Sequence, residues 1–233
     1  MAAQPAASRK KPTAQASSED LFTARALEFT DWARTNIRLI IGVVVALAVI
    51  VGGLIYYRMY RAAREERAAV EFAQVEQTAA SGNLPLATRD LQAYVRRYEG
   101  TSYGDEAALA LAQIYLGQDS AAKAVAVLQG ATERIDDSVV GPQSALLLGA
   151  AQQAAGKPDL AIQAYLAVAD EAEMEMYKVQ GLQNAAILRA ERGDFKGAAE
   201  LYRRLVDLQD EGSLDRQLYE MRLAEAEARA AAK

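Results

Sequence analysis

The chain has 233 residues, no cysteine, no histidine and a formal net charge of −5. The missing residue types exclude cysteine and serine–histidine nucleophile pairs, histidine or cysteine zinc sites, and covalent haem attachment. The negative charge lies after residue 57 and would repel a phosphate backbone, which argues against nucleic-acid binding.

The first 38 residues divide into two segments by composition. Residues 1–20 are mostly small or polar and have little apolar surface to bury, so we expect a disordered leader. Residues 21–38 place large apolar side chains, among them Phe22, Phe29 and Trp32, between charged ones. This mixture indicates a short amphipathic segment next to a membrane.

Residues 39–57, LIIGVVVALAVIVGGLIYY, carry no charge and lie between Arg38 and Arg58. As a helix they would be about 28 Å long, close to the ~30 Å thickness of the hydrocarbon core of a bilayer. A buried core helix would show a polar edge, and a cleaved signal peptide would start nearer the N-terminus and end at a small-residue cleavage site. We therefore predict a transmembrane helix that is retained.

Residues 58–80 contain neither glycine nor proline and carry charges of both signs. This pattern is typical of a solvated helix. We predict that this helix continues from the span, first as a stalk and then as the first helix of a repeat domain.

Residues 81–212 repeat with a period of 37. Alanine recurs at one place in each unit: Ala87, Ala124, Ala161 and Ala198. A leucine or tyrosine follows each alanine four residues later: Leu91, Leu128, Tyr165 and Tyr202. Five residues before the alanine stands Gly82, Asp119, Gly156 or Gly193. Each unit is therefore predicted to hold two helices joined by a turn, with the alanine packed inward, as in an α-solenoid.

Residues that favour helix ends agree with this period. Pro85, Pro142 and Pro158 lie where a helix should begin, a position at which the missing N–H has no cost. Asp194 is a natural N-cap for the helix that carries Ala198. Residues 213–233 are predicted to form a final helix that caps the last unit.

The second unit has the pattern A-x-x-L-A-x-x-Y followed by A-x-x-x-L, at Ala108, Leu111, Ala112, Tyr115, Ala124 and Leu128. This pattern resembles the tetratricopeptide repeat, whose usual period is 34. We place the three extra residues of each unit in the loops between units. The predicted fold class is thus all-α, with one N-terminal transmembrane helix followed by a tetratricopeptide-like α-solenoid.

The order of these parts resembles the YfgM family, an ancillary subunit of the bacterial SecYEG translocon. The stretches LQAYVRRYEGTSYGDEAALALAQIYL and LYEMRLAEAEAR look like that family's first-repeat junction and terminal helix, and the resemblance covers about 21–229. It implies a single-pass protein of the bacterial inner membrane, with the N-terminus in the cytoplasm and the repeats in the periplasm. The implied partners are SecYEG, periplasmic chaperones and emerging client polypeptides.

Two alternatives remain open. The arginines near the span number three on the leader side, at 25, 34 and 38, and four on the far side, at 58, 61, 64 and 67. This count slightly favours the reverse topology, in which the solenoid would be a cytoplasmic adaptor for the assembly of membrane complexes. An enzyme based on Asp, Glu and Tyr alone is the weaker alternative, because no recognisable motif positions a pair of carboxylates.

In tetratricopeptide domains the first helix of each unit lines a groove. Carried over by phase, the predicted groove comprises Glu106, Leu109, Gln113, Gln143, Leu146, Ala150, Gln153, Gln180, Gln183, Asn184 and Ile187. The set contains no Lys or Arg, and its amides could hydrogen-bond an extended backbone with little sequence preference. The alternative is that these amides are simply solvated. We predict no catalytic, cofactor-binding or metal-binding residue.

Overall fold

The computed structural model describes residues 36–136 and 138–232. Within these ranges the chain is helical apart from turns and short loops, and no strand occurs, so the predicted all-α class is confirmed. The leader and nearly all of the amphipathic segment, including Trp32, lie outside the described residues. The described residues divide into two units, with the boundary between Tyr60 and Arg61.

Helix α1 is unbroken from Ile37 to Ala80, 44 residues. Its most apolar 18-residue window has a mean hydropathy of 2.9, and none of that window is buried. By length and composition this helix can cross a membrane, which is consistent with the predicted single-pass anchor. Exposed aliphatic side chains of this kind are costly in water and stable in hydrocarbon.

After α1, the unit that begins at Arg61 continues with helices α2 to α9 and one short 3-10 helix between α4 and α5. Their bounds are α2 Leu84–Arg97, α3 Ser102–Gly117, α4 Ala121–Val127, the 3-10 helix Ala131–Arg134, α5 Gly141–Ala154, α6 Pro158–Glu171, α7 Glu175–Glu191, α8 Phe195–Leu208 and α9 Leu214–Ala231. The starts of α2, α4, α6 and α8 are 37 residues apart. The predicted period is therefore the period of the helix pairs.

The two helices of each pair are joined by a short turn that contains one residue with a positive φ. These residues are Gly82 at 78°, Asp119 at 53°, Gly156 at 73° and Gly193 at 76°. Asp119 is the one non-glycine residue with a positive φ in the described part of the chain. The left-handed conformation costs a residue with a Cβ about 1–2 kcal/mol, although aspartate tolerates it better than most. The second pair therefore has a strained turn.

The alanines of the 37-residue period lie at the centre of the packing. Ala87, Ala124, Ala161 and Ala198 all have an exposed fraction of 0%. The leucines and tyrosines four residues later are 2–6% exposed, so they belong to the same buried face. The inward orientation predicted for the alanines is confirmed.

The C-terminal part of α1 packs against α2 as the first helix of the first pair. The Tyr94 hydroxyl donates a hydrogen bond to the Ala68 carbonyl at 2.6 Å, and the rings of Phe72 and Tyr94 lie 5.5 Å apart. At the surface, the Arg97 guanidinium donates to the Glu71 carboxylate at 2.9 Å. Residues 68–97 thus form a complete helix pair.

The helix starts follow the residues that favour them. Proline occupies the first turn of α2, α5 and α6, as the sequence predicts. Asp194 caps α8 by accepting a hydrogen bond from the Gly197 N–H at 3.0 Å, which confirms its predicted role. Thr101 caps α3 in the same way, accepting from the Gly104 N–H at 3.0 Å.

One pair departs from the others. Helix α4 has seven residues, whereas α2, α6 and α8 each have 14. After α4 the chain passes through Gly130 at φ 85°, turns through the 3-10 helix and buries Ile135, which is 2% exposed. The second helix of this pair is therefore about two turns shorter than the second helices of the other pairs.

Single substitutions at two equivalent turn positions, Asp119 and Gly156, test the strain at Asp119. We expect Asp119→Gly to raise the free energy of unfolding by about 0.5 kcal/mol, because glycine adopts the positive φ without a Cβ penalty but loses more entropy on folding. Gly156→Ala should lower it by about 1 kcal/mol, since a Cβ there meets no atom within 4 Å and the cost is conformational. Urea denaturation measures both, and stabilisation by Gly156→Ala would contradict the assignment.

Gly181 on α7 is a second position where a side chain is excluded, here by a close helix contact. A Cβ at Gly181 would lie 2.5 Å from the Tyr165 carbonyl oxygen and 2.9 Å from the Ala169 nitrogen, both backbone atoms of α6. We expect Gly181→Ala to lower the free energy of unfolding by about 1–3 kcal/mol. Gly117→Ala is the matched control, because a Cβ there meets nothing within 4 Å. Equal effects of the two substitutions in urea denaturation would rule out the close contact.

Candidate functional site: the first-helix face

The first helices of successive pairs lie side by side. Helix α3 contacts α5, and α5 contacts α7. We call the solvent-accessible side of these three helices the first-helix face. It includes the exposed members of the predicted groove, because all of that set lie on α3, α5 and α7.

The predicted groove residues differ in exposure. The exposed ones are Gln113 on α3, Gln143, Ala150 and Gln153 on α5, and Gln180 and Ile187 on α7. Glu106, Gln183 and Asn184 are half-buried. The amides therefore provide most of the polar surface that the predicted set offers.

Leu109 and Leu146 are not part of the accessible surface. They are 7% and 8% exposed, and Leu146 belongs to the hydrophobic cluster that extends towards the C-terminus. Gln183 has the same phase in the next unit but is half-buried. The sequence assigned both leucines to the groove by phase, but their burial shows that they stabilise the stack of helices instead.

The N-terminal end of the first-helix face is acidic. Burial raises the pKa of the Glu106 carboxyl, and the nearby carboxylates of Glu76 and Glu65 raise it further. The Glu65 carboxylate also accepts a hydrogen bond from the Ser102 N–H at 2.8 Å. This end of the face therefore favours a partner that carries positive charge.

A pocket of about 370 Å³ lies at the C-terminal end, between α7, α8 and α9. We call it the C-terminal pocket; its walls include Gln183, Ile187, Tyr202, Leu218, Tyr219 and Arg222. It brings together two residues of the predicted groove, Gln183 and Ile187, with side chains of α8 and α9 that the sequence did not assign to a site. The sequence did contain a signal for α9, the apolar residues Leu214, Leu218 and Met221, but the prediction assigned this helix only to capping.

Three of the four charged side chains that line the C-terminal pocket form ion pairs with one another. Glu225 contacts the Arg229 guanidinium at 2.8 Å and the Arg222 guanidinium at 3.4 Å. The Arg229 guanidinium also lies 5.4 Å from the centre of the Phe195 ring. Burial raises the pKa values of Tyr202 and Tyr219, so both hydroxyls stay protonated near neutral pH. The pocket thus combines an apolar floor with neutral hydrogen-bonding groups and a balanced rim.

These surfaces suit polypeptide binding rather than bond chemistry. Apart from the charged side chains described above, these surfaces carry amides, apolar groups and aromatic rings, which bind extended backbone and apolar side chains. Within residues 36–136 and 138–232, no group of three or more His, Cys, Asp or Glu could hold a metal ion. The fold and its face define a helical-repeat scaffold for protein–protein interaction.

Comparison with known proteins identifies the family. The model of the tetratricopeptide repeat-like domain matches residues 30–228. The chain therefore belongs to the tetratricopeptide repeat-like domain family, whose members are typically non-catalytic interaction scaffolds. No curated protein and no solved structure matches the chain significantly.

The raised pKa of Glu106 gives a pH-dependent expectation. Because the folded state raises this pKa above its unfolded value, ionisation at neutral pH opposes folding, and this effect disappears as the pH falls through the raised pKa. We expect Glu106→Gln to raise Tm at pH 7 and to leave it unchanged near pH 3. Glu200→Gln, at an exposed position on α8, is the control. A lower Tm of the Glu106→Gln variant at pH 7 would contradict this expectation, because it would show that the carboxylate stabilises the fold.

Proposed function

We propose that this protein is a membrane-anchored scaffold of the bacterial cell envelope, an ancillary translocon subunit like those of the YfgM family. In this role the repeats lie in the periplasm and link SecYEG to periplasmic chaperones and emerging client polypeptides. One observation carries the proposal: α1 has an unburied apolar stretch long enough to cross a membrane, and its other end is the first helix of the repeat domain. The resemblance in sequence order supports the choice of partners.

The first-helix face supplies the binding surface in this proposal. Exposed glutamines on α3 and α5, and Gln180 on α7, can donate to and accept from the backbone of an extended chain. Such contacts read the backbone and only weakly the side chains, so they suit clients of many sequences. The C-terminal pocket adds a place for one apolar side chain.

Substitutions on the first-helix face test whether it binds partners. We expect the double variant Gln143→Lys and Gln180→Lys to weaken partner capture about tenfold, because each lysine removes a hydrogen-bond acceptor and adds charge. Photo-crosslinking from Asn184 in native membranes measures the capture. Gln163→Lys on α6 is the matched control, since Gln163 is exposed on a second helix. Undiminished crosslinking in the double variant would exclude this face.

The orientation of the anchor is tested separately. A C-terminal alkaline phosphatase fusion should be active, and a green fluorescent protein fusion exported through the translocon should be dark, because the repeats are proposed to lie in the periplasm. The opposite pair of results would favour the cytoplasmic adaptor. The count of arginines beside the span supports that second candidate.

A further inference from the structure

Helix α9 carries a row of side chains that face away from the core. Leu214, Leu218 and Met221 are 82%, 42% and 59% exposed, and Glu225 and Ala228 continue the row. The spacing alternates between four and three residues, which keeps the row on one face of the helix, as in the contact row of a coiled coil. We call these five residues the α9 stripe. Its N-terminal half is apolar and accessible.

No described helix covers the α9 stripe. The opposite side of α9 holds its buried residues, Tyr219 and Ala226, and packs against α8. Within the array, by contrast, α7 packs against both α6 and α8, and α8 packs against both α7 and α9. The end of a solenoid normally presents a polar face. An end that exposes two leucines and a methionine therefore indicates a binding surface.

The charges beside the α9 stripe are complementary to a second copy of the same helix. Asp215 and Arg222 lie seven residues apart and so flank the stripe on the same side. Asp215 forms no ion pair among the described residues, and Arg222 forms one, the 3.4 Å contact with Glu225. Two such helices can pack antiparallel with Leu218 of each opposite Met221 of the other. Asp215 of each copy then lies beside Arg222 of the other.

Other arrangements of two α9 helices lose these ion pairs. Sliding the antiparallel pair by one heptad, so that the N-terminal ends overlap, places Asp215 beside Asp215 of the other copy. Sliding it the other way places Arg222 beside Arg222. A parallel pair places Arg222 beside Gln217, which carries no charge. The charges therefore favour one orientation and one register.

We propose that the α9 stripe binds the α9 stripe of a second copy of this chain, antiparallel and with two-fold symmetry. Each contact then occurs twice, as an isologous interface requires. Glu225 of the second copy lies beside Leu214, at the start of α9, where the helix dipole favours a negative charge. Leu218 and Arg222 also line the C-terminal pocket, so dimerisation covers part of the wall of that pocket.

The size of the α9 stripe determines where this dimer forms. One helix face is smaller than the ~800 Å² per partner of a standard stable interface. The contact is therefore weak in solution, and confinement of both copies to one membrane raises their effective concentration. Helix α1 is long enough to span a membrane. We expect dimers in liposomes and monomers in dilute detergent solution.

Cysteine crosslinking tests the pairing. The chain has no cysteine, so an introduced thiol has no competitor. The variants Leu218→Cys and Met221→Cys, one of them with an N-terminal tag, are mixed at full length in phosphatidylcholine liposomes and oxidised with copper phenanthroline. We expect the mixed disulfide to form about fivefold faster than either homodisulfide, because the antiparallel pair places these two positions opposite each other. Glu220→Cys, at an exposed position on another side of α9, is the control.

Charge reversal tests the ion pairs in the same crosslinking mixture. Asp215→Arg in both members should slow the mixed disulfide about fivefold, and so should Arg222→Asp in both. Asp215→Arg in one member and Arg222→Asp in the other should restore the rate, because both contacts then join opposite charges again. A folding defect in either variant cannot produce this restoration.

Three outcomes would overturn the proposal. The first is a mixed disulfide that forms no faster than the Glu220→Cys control or more slowly than the homodisulfides, and the second is a rate that the complementary reversals do not restore. The third is photo-crosslinking from Met221 to a different polypeptide in native membranes without crosslinking between copies. The test is independent of partner capture by the first-helix face, because Gln143, Gln180 and Asn184 lie on α5 and α7.

Discussion

The close approach of the two helices in each pair determines the architecture of the repeat unit. At each contact a fully buried alanine lets the helices pack closely, and other small residues are buried near it. At Gly149 an added Cβ would fall on the ring of Tyr165, so this tyrosine can occupy its place only opposite a glycine. Close packing therefore fixes both the small residues and the large residues that face them.

This packing leaves the functional surfaces with little reactive chemistry. Alanine, leucine and tyrosine fill the interior, and amides and paired charges remain outside. Together with a chain that lacks cysteine and histidine, this composition suits recognition of other molecules by shape, charge and hydrogen bonding. The apolar part of α1, which is long enough to span a membrane, adds the means of anchoring that the proposed membrane-bound scaffold needs.

The sequence predicts those features that depend on local geometry or on strict periodicity. The alanine phase, the turn position shared by Asp119 with three glycines, the prolines at helix starts and the Asp194 cap all have local causes, and the structure contains each of them. The burial of Leu109 and Leu146 depends on neighbouring helices, so phase alone misplaced them on the open face. Because α4 starts in phase with the other second helices, the 37-residue period does not reveal that α4 ends early. Gly130, which has a positive φ, was the local signal for this early end.

The hydrophobic interior of the whole repeat domain consists of two clusters that meet at α5. Ala145 and Leu146 belong to the C-terminal cluster, and Leu148 and Ala151 belong to the N-terminal one. In linear arrays of helices, cooperativity passes only between neighbours. Ala131 of the 3-10 helix also packs against both clusters. Helix α5 and the 3-10 helix thus transmit stability between the two halves, next to the pair whose second helix is the shortest. Under tension or heat, the array should separate into two blocks at this seam, so one half can open while the other stays folded.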